Sequence, residues 1–438
     1  MSYQLALFYG EQLMGHLEYN AKTGLLRLQY NQHWKQHGFA ISPALPLNKT
    51  HSPHSVYNFL DNLLPEGEAR KLLTENLGVN DTQVFIQIRA LGQDLSGAIS
   101  FLDTDKQQTK SPLLRPIKEQ ELIQRLQQKE DFGLLIWDGK PRLSVAGVQD
   151  KINILYSESG EMSFADGSLC STHILKFEPA HCPHLVLNEY FCMRLAKIIG
   201  LPVAEVIFKR FAEFPALLVK RFDRKLSRSK QKVYKRHLID GCQALDLPRD
   251  YKYEQNFGDG RDVAHIRDGA SLKLLFNFCQ KTATPAANMQ WLLNWQVFNL
   301  MINNYDSHAK NLSFFYGQNL CQFSPCYDLI NVAMYPQFKQ SLAMAIGDEF
   351  SPEDIYAYQL ADFAESCAID KKLLARTLIT LAGKVFKALD SMTIEALFIN
   401  SQMLTSAEKD YWQQLIENIR LRSSCLSAYA EEIPDIVV

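Results

Sequence analysis

The stretch "NNYDSHAKNLSFF", Asn303 to Phe315, brings an Asp, a His, a Lys and an Asn together between two apolar segments. The segment before it, "WLLNWQVFNLMINN", has apolar residues at three- and four-residue spacing, which is typical of a packed helix. The segment after it, "LSFF", is typical of a strand. We therefore expect a short polar loop that a packed helix and a strand hold in place, which suits catalytic groups.

The helix is predicted to bury one face, because Trp291, Trp295, Phe298 and Ile302 share a side of it. Beyond "LSFF" the chain reads as a hairpin, "LSFFYGQNLCQFSPCYDL", that returns towards the loop. The hairpin is predicted to bring Asp328, in "PCYDLI", back beside Asn311.

Composition and charge narrow the class of protein. The chain has 438 residues, of which 47% are hydrophobic, so it can bury a large core and is expected to form two or three domains. Its 46 basic and 48 acidic residues give a net charge of −2, so contact with nucleic acid would be local or made through a partner. Nine scattered cysteines, no signal peptide and no long apolar window predict a soluble cytoplasmic protein with no membrane contact.

Three segments are predicted from the changes in pattern along the chain. Residues 1–105 alternate short strands with turns before a helical stretch, which indicates a small α+β domain. The polar, proline-punctuated stretch Asp103 to Gln120 marks a boundary. Residues 106–245 are mostly strands around one helix, and residues 246–438 are mostly helical.

Three oxygen-bearing side chains fit the needs of phosphoryl transfer. This chemistry needs a carboxylate that accepts a proton from the attacking hydroxyl, and hard oxygen ligands for Mg²⁺. Asp306 can supply the first, and Asn311 and Asp328 the others. The alternative is a plain turn, since Asn and Asp favour tight bends and helix caps.

Two upstream residues could complete a nucleotide site. Lys176 interrupts the apolar strand "THILKF" and could hold ATP phosphates, unless it is an outward-pointing lysine on an edge strand. Glu189, expected in the first turn of the helix "LNEYFCMRLAKIIG", could pair with Lys176 or simply favour the helix dipole. Before them, "RLSVAGVQDKINIL" could form a turn whose backbone N–H groups cover phosphates, although these residues taken alone favour a plain turn, because GxGxxG and GxxxxGK(S/T) are both absent.

Taken in order, several motifs resemble the HipA family of bacterial serine/threonine kinases. They are "SVAGVQDK", "THILKF", "NEYFCMRLAKIIGLPVA", "VKRFDR", "DSHAKN" and "YDLI", with "FLDNLLPEGEAR" and "LGQDLSGAI" near the N-terminus. The resemblance covers nearly the whole chain. It implies an α+β, protein-kinase-like two-lobed fold with a mixed N-lobe, an added small N-terminal domain and a mostly helical C-lobe.

The resemblance also implies roles for individual residues. Asp306 would be the catalytic base, Asn311 and Asp328 the Mg²⁺ ligands, and Lys176 the lysine that contacts ATP, with Glu189 as its possible partner. Other residues would line the ATP site: Ala146, Gly147, Val148, Gln149, Asp150, Lys151, Ile239, Asp240, Gly241, His308, Lys310 and Tyr327. Of these, residues 146–151 would form the phosphate loop and residues 239–241 the adenine hinge.

Regulation is implied at Ser144, whose counterpart in the family is autophosphorylated. A phosphate adds about −1.5 to −2 of charge. Beside the phosphates of ATP, this charge would expel the phosphate loop and inactivate the kinase.

Function and partners follow from the same resemblance. The chain would be the toxin of a toxin–antitoxin pair, with a HipB-like helix-turn-helix antitoxin, and would reach operator DNA mainly through it. Its substrate would be an aminoacyl-tRNA synthetase, with the glutamyl enzyme as the first candidate. Two alternatives remain open, a non-catalytic corepressor module that binds the antitoxin and a small-molecule kinase. The basic run Arg224 to Arg236 is expected to be a solvated loop or a local phosphate-binding patch.

Overall fold

The computed structural model describes residues 2–103, 111–128, 134, 136–142, 150–398 and 404–438. Strands and helices are both abundant there, so the predicted α+β class is confirmed. These residues divide into two compact units. The first comprises residues 1–179, 209–249 and 313–321, and the second comprises residues 180–208, 250–312 and 322–438. The three segments predicted from the sequence are each continuous in the chain, whereas each compact unit combines separate stretches of it. The three segments therefore remain a prediction.

The N-terminal part of the first unit is a four-stranded sheet with helices. Its strands lie in the order β3-β2-β1-β4 and are all antiparallel neighbours. Leu26, Leu28 and Tyr30 alternate with exposed residues, because successive side chains of a strand point to opposite faces. In chain order the elements are β1 Ser2–Tyr9, β2 Gln12–Asn20, β3 Leu26–Tyr30, α1 Gln32–His37, α2 Pro53–Asp61, α3 Gly67–Leu77, α4 Val84–Leu91 and β4 Ile99–Asp103.

A six-stranded sheet follows, with the strand order β11-β12-β10-β8-β9-β5. After its last strand in the chain, residues 224–235 form a two-stranded hairpin. A further strand, residues 238–240, then leads directly into a short helix. The elements are β5 Pro112–Pro116, α5 Glu119–Gln127, β6 Ile136–Trp137, β7 Lys140–Pro141, β8 Lys151–Tyr156, β9 Met162–Gly167, β10 His173–Phe177, α6 Leu185–Ile198, β11 Val206–Phe211, β12 Phe214–Lys220, β13 Arg224–Leu226, β14 Val233–Lys235, β15 Leu238–Asp240 and α7 Gly241–Leu245.

Most of the remaining elements are helices, as the pattern after residue 245 predicts. The exception is the predicted hairpin, which forms as β16 and β17 and joins β15 in a three-stranded sheet. The elements are α8 Leu272–Gln280, α9 Pro285–Met301, β16 Ser313–Gly317, β17 Leu320–Phe323, α10 Ala357–Ser366, α11 Lys371–Ser391, α12 Ile394–Leu397 and α13 Ser406–Ala428. None of these described helices has the length and apolar character needed to cross a membrane.

One face of the six-stranded sheet carries a buried apolar cluster of the first unit. Ile152 and Ile154 of β8 and Leu175 and Phe177 of β10 belong to one buried cluster with Leu122 of α5. Because side chains alternate along a strand, the residues between them point to the opposite face. That opposite face therefore carries Lys151 and Asn153 of β8 and Lys176 of β10.

A buried group of charged residues ties the N-terminal part of the first unit to the corner after β12. We call Asp94, Arg221, Asp223 and Arg224 the ionic cluster. Asp223 accepts from Arg221 at 3.0 Å and from Arg224 at 2.6 Å, and Asp94 lies 3.4 Å from Arg221. Gly97, at φ 76°, donates its N–H to Asp223 at 3.0 Å.

The charges within the ionic cluster stabilise one another. Burial alone would raise the pKa of Asp223, but the charges of Arg221 and Arg224 outweigh burial and lower this pKa to about 2. An ionised carboxylate between two buried guanidinium groups therefore forms part of the fold near neutral pH.

Two sequence-based expectations are met only in part. The basic run from Arg224 folds into a β13–β14 hairpin in which Arg224 is buried, while Arg228, Ser229 and Lys230 are exposed. Helix α9 buries Trp295 and Phe298 of its predicted face, but it also buries every other residue from Gln296 to Met301. An amphipathic pattern does not reveal that a helix is enclosed on all sides, because polar residues such as Asn299 are buried with hydrogen bonds of their own.

Candidate active site

The predicted catalytic loop, residues 303–312, lies in the second unit, directly after α9. Its backbone folds tightly, with His308 N–H donating to the Asp306 carbonyl at 2.8 Å and Asn311 N–H to the His308 carbonyl at 2.9 Å. Residues Ala309–Asn311 form one 3₁₀ turn, and then β16 begins at Ser313. His308, Lys310 and Asn311 are all buried. The loop is therefore an ordered turn between a packed helix and a strand, as the sequence predicts.

Side-chain hydrogen bonds fix the two ends of this loop. The Asn311 amide Nδ2 donates to the Asp306 carbonyl at 2.7 Å. The Tyr327 hydroxyl donates to the Lys310 carbonyl at 2.8 Å, so the chain that returns from the hairpin lies against the loop. Among the described residues the Asn311 side-chain oxygen accepts no hydrogen bond. An amide oxygen next to the Asp306 backbone is thus available to a ligand.

Asp328 follows Tyr327 and is held from both directions. The preceding Cys326 forms a parallel bridge with Val203, with Cys326 N–H donating to the Pro202 carbonyl at 2.8 Å. Asn304, at the start of the loop, places its Nδ2 3.4 Å from the Asp328 carbonyl. The predicted return of Asp328 to the loop region agrees with these contacts.

Asp328 has an unusual backbone conformation. Its φ is 53°, in the left-handed region that non-glycine residues rarely adopt. Such a conformation costs on the order of 1 kcal/mol or more, and it persists where neighbouring contacts impose it. Residues in this region are concentrated at functional sites.

Four asparagines hold the loop in place through hydrogen bonds with one another. We call Asn188, Asn303, Asn331 and Asn418 the amide cluster. Asn418 of α13 accepts from Asn303 and from Asn331, both at 2.8 Å. Asn188 of α6 donates to the Asn331 carbonyl at 2.9 Å and accepts from its N–H at 2.8 Å. The amide cluster thus connects α6, the predicted catalytic loop, the segment after Asp328 and helix α13.

The other candidate residues lie in the first unit. Lys176 and Lys151 are directly opposed across β10 and β8, on the face opposite the core, and each is 5% exposed. Strand β10 lies between β12 and β8, so Lys176 is not an edge lysine. Two opposed lysines concentrate positive charge on one sheet face, which suits a polyphosphate.

Arg142 and Asp150, which lie before and after residues 143–149 in the chain, are also anchored on this sheet. The Arg142 carbonyl accepts from Asn153 N–H at 3.0 Å, and the Asp150 carbonyl accepts from Phe177 N–H at 2.8 Å. The predicted loop residues Ala146, Gly147, Val148 and Gln149, and the predicted modification site Ser144, lie outside the described residues.

The predicted hinge is ordered by its own contacts. Ile239 is fully buried and is paired with Phe314 of β16. Asp240 caps α7, accepting from Gln243 N–H at 2.8 Å, while its own N–H donates to the Gln243 side chain at 3.0 Å. The N–H of Asp240 is therefore engaged, whereas Gly241 begins the helix.

The first-turn position expected for Glu189 is wrong. Helix α6 begins at Leu185, so Glu189 lies in its second turn, and it is completely buried. A favourable interaction with the helix dipole falls off beyond the first turn and does not explain this residue. Lys176 belongs to the first unit and Glu189 to the second, and their pairing remains a prediction.

Some residues that support the loop have no clear signal in the sequence. The Tyr253 hydroxyl donates to Asp306 Oδ1 at 2.7 Å, from a segment 53 residues away. Asn418 lies still further along the chain, on α13. Neither residue belongs to a motif or to an apolar repeat, so only the folded chain reveals them.

Comparisons with known proteins show which family the chain resembles. Residues 143–389 match the HipA-like C-terminal domain, and residues 5–102 match the HipA N-terminal domain. A serine/threonine-protein kinase toxin HipA from Shewanella oneidensis is 42% identical over 416 residues, covering 92% of this chain and 95% of the relative. A putative kinase from Sinorhizobium fredii is 29% identical, covering 84% of this chain and 86% of the relative.

A solved structure is similar over nearly the whole chain. It is the Shewanella oneidensis HipA, HipB and operator DNA complex. Its matching chain has a TM-score of 0.91 and 41% identity, and the match covers 99% of this chain and all of that chain.

Proposed function

This chain belongs to the HipA family, and we propose that it is a serine/threonine-protein kinase that transfers the γ-phosphoryl group of ATP to a protein hydroxyl. The observation that carries the proposal is the ordered turn of residues 306–311, held on one side by the Asn311–Asp306 bond and on the other by Tyr327. This arrangement presents a carboxylate and an amide oxygen from the same turn.

Asp306 is the proposed catalytic base. Its carboxylate would orient the acceptor hydroxyl and take its proton as the bond to phosphorus forms. The fixed backbone of the turn supports this role, because a base must be held within hydrogen-bond reach of its substrate.

Asn311 and Asp328 are the proposed Mg²⁺ ligands. An amide oxygen and a carboxylate are hard oxygen donors, which fit this ion. When bound, Mg²⁺ would neutralise charge on the ATP phosphates. The bond from Asn311 Nδ2 to the Asp306 carbonyl orients the amide so that its oxygen remains for the metal.

Lys176 is the proposed contact to the ATP phosphates, with Lys151 beside it on the same sheet face. We further propose that residues 146–151 cover the phosphates, that residues 239–241 receive adenine, and that His308, Lys310 and Tyr327 line the site. Glu189 is proposed to pair with Lys176. Ser144, two residues before the proposed phosphate loop, is the proposed autophosphorylation site.

The proposed cellular role is that of a toxin paired with a HipB-like antitoxin. The similar solved structure is a complex of HipA with HipB and operator DNA, which supports such a partner and contact with DNA through it. An aminoacyl-tRNA synthetase, first the glutamyl enzyme, is the proposed substrate.

The direct test is labelling of purified protein with γ-³²P-ATP and Mg²⁺. We expect Asp306→Ala to lower labelling of the chain and of added glutamyl-tRNA synthetase by about 100-fold or more, because the proton acceptor is lost. Wild-type labelling by this variant would refute the role of Asp306. Labelling of the chain without labelling of the synthetase would refute only the substrate.

A second candidate function, corepression through the antitoxin, is favoured by the same solved complex. It can be measured with the inactive Asp306→Ala variant by the affinity of the antitoxin for its operator. If the variant strengthens operator binding as the wild type does, corepression is independent of catalysis. If it does not, the kinase activity alone remains.

A further inference from the structure

Tyr253 contacts the proposed base directly, although it lies far from it in the chain. Its hydroxyl donates to Asp306 Oδ1 at 2.7 Å. Its ring meets the His308 ring edge-on, with centroids 5.1 Å apart and an angle of 83° between the rings. Both contacts lie within the second unit. One tyrosine thus touches two residues of the catalytic loop.

The backbone around Tyr253 is held by neighbouring segments. Glu254 N–H donates to the Ala343 carbonyl at 3.0 Å, and Gly269 N–H donates to the Glu254 carbonyl at 3.2 Å. Ala270 N–H donates to the Tyr251 carbonyl at 2.8 Å. The same Ala343 donates its N–H to the Tyr305 carbonyl at 2.9 Å. Tyr253 and the residue before Asp306 are therefore fixed to one common segment.

Close packing and an ion pair strengthen this anchor. A Cβ placed on Gly269 would lie only 1.8 Å from the Tyr253 carbonyl oxygen, so glycine is needed for the approach of the two chains. The Glu254 carboxylate accepts from Arg267 at 2.8 Å and from Ala345 N–H at 2.8 Å. The hydroxyl of Tyr253 consequently reaches Asp306 from a rigid support.

The two oxygens of the Asp306 carboxylate are in different situations. Oδ1 accepts the hydroxyl of Tyr253, while Oδ2 has no hydrogen bond among the described residues. A base must leave one oxygen for the substrate proton and be held by the other. We propose that Tyr253 is a positioning residue that fixes the Asp306 carboxylate and so presents Oδ2 to the acceptor hydroxyl. This inference rests on the proposed kinase function.

The test compares three variants of the full chain. Tyr253→Phe removes the hydroxyl and keeps the ring against His308. Tyr251→Phe is the matched control, because its hydroxyl makes no hydrogen bond among the described residues and it lies on the same segment. Asp306→Asn removes the proposed base. For each, the rate of ³²P incorporation into the chain at saturating Mg-ATP and the dissociation constant for a fluorescent ATP analogue are measured.

Tyr253→Phe is expected to lower the rate of incorporation by about 10- to 100-fold, since misplacement of a reacting group by about 1 Å can cost 100-fold. Its dissociation constant for the analogue should stay within twofold of the wild type. Tyr251→Phe should match the wild type in both measurements.

Each contrary result has a distinct meaning. If Asp306→Asn is inactive while Tyr253→Phe incorporates label at or above the wild-type rate, the role of Tyr253 is refuted and the proposed function stands. If Tyr253→Phe weakens nucleotide binding as much as it lowers the rate, its role is structural and the inference is refuted. If Asp306→Asn is fully active, the proposed function itself fails.

Discussion

The ionic cluster of the first unit and the amide cluster of the second both bury polar groups, but they differ in charge. Asp223 sits between two guanidinium groups that are 3% exposed or less. Asn418 instead joins two amides with no charge at all. A buried ion pair makes an element hard to displace but adds a local field. The amides hold the predicted catalytic loop without adding charge beside the residues that we propose to bind phosphate and metal.

The largest effect should come from breaking the ionic cluster. Asp223→Ala leaves Arg221 and Arg224 buried without their shared carboxylate. We expect a loss of about 3–5 kcal/mol in the free energy of unfolding, measured by urea denaturation, because an uncompensated buried charge is costly.

The control for this change is an exposed ion pair. Asp390→Ala removes the partner of Arg420, and the two side chains are 69% and 42% exposed. Its cost should stay under about 1 kcal/mol. Equal effects at Asp223 and Asp390 would mean that burial of the ionic cluster does not determine its contribution.

Breaking the amide cluster should cost less. Asn418→Ala leaves the side-chain amides of Asn303 and Asn331 without their common acceptor, and both residues are 5% exposed or less. We expect a loss of about 2–3 kcal/mol in the free energy of unfolding, and a lower rate of ³²P incorporation because the loop loses its support.

The matched control is Gln414→Ala on the exposed side of the same helix, with an expected effect within about 0.5 kcal/mol. If Asn418→Ala destabilised the chain as much as Asp223→Ala, the contrast between charged and uncharged support would not hold.

Low pH should destabilise the first unit through His237. This side chain is buried, and its Nε2 lies 2.8 Å from the Ile41 carbonyl oxygen. Burial lowers the pKa of His237 to about 4. The unfolded chain, with a histidine pKa of about 6.5, takes up the proton first, so stability falls as pH drops from about 6.5 towards 4. Between pH 8 and pH 5 this group should cost about 2 kcal/mol of unfolding free energy.

Urea denaturation at the two pH values measures this loss. His237→Gln keeps an amide that can donate to the Ile41 carbonyl but cannot titrate, so it should remove this part of the pH dependence. An unchanged dependence in that variant would assign the loss to other groups. Asp223 adds a further loss only below about pH 3.8, because the pKa of this carboxyl is already lowered to about 2 in the fold.

The smallest effect on stability is expected at Asp328. Asn tolerates the left-handed backbone that residue 328 adopts at φ 53°, so Asp328→Asn should change the free energy of unfolding by less than about 0.5 kcal/mol. If Asp328 is a metal ligand, the same change should lower ³²P incorporation by about 100-fold or more. A stable and fully active variant would refute that role.

Sequence reasoning identified most elements and the loop itself, because strong periodicity surrounds "DSHAKN". It also predicted that Asp306, Asn311 and Asp328 lie in one region, and all three belong to the second unit. Their roles remain predictions. It missed Tyr253, because a contact across 53 residues leaves no local pattern. It also missed that Arg224, at the start of the basic run, is buried, because composition does not reveal that this side chain donates to Asp223 and Gly97.

The positive φ of Asp328 has a genetic consequence. Few residue types adopt a positive φ readily, and Gly and Asn are foremost among them. A single nucleotide change converts an aspartate codon into a codon for either residue. In a growth selection for cells that survive expression of this chain, clones with these two replacements should therefore be recovered as full-length, folded protein. Such escape mutants would separate loss of toxicity from loss of the chain itself.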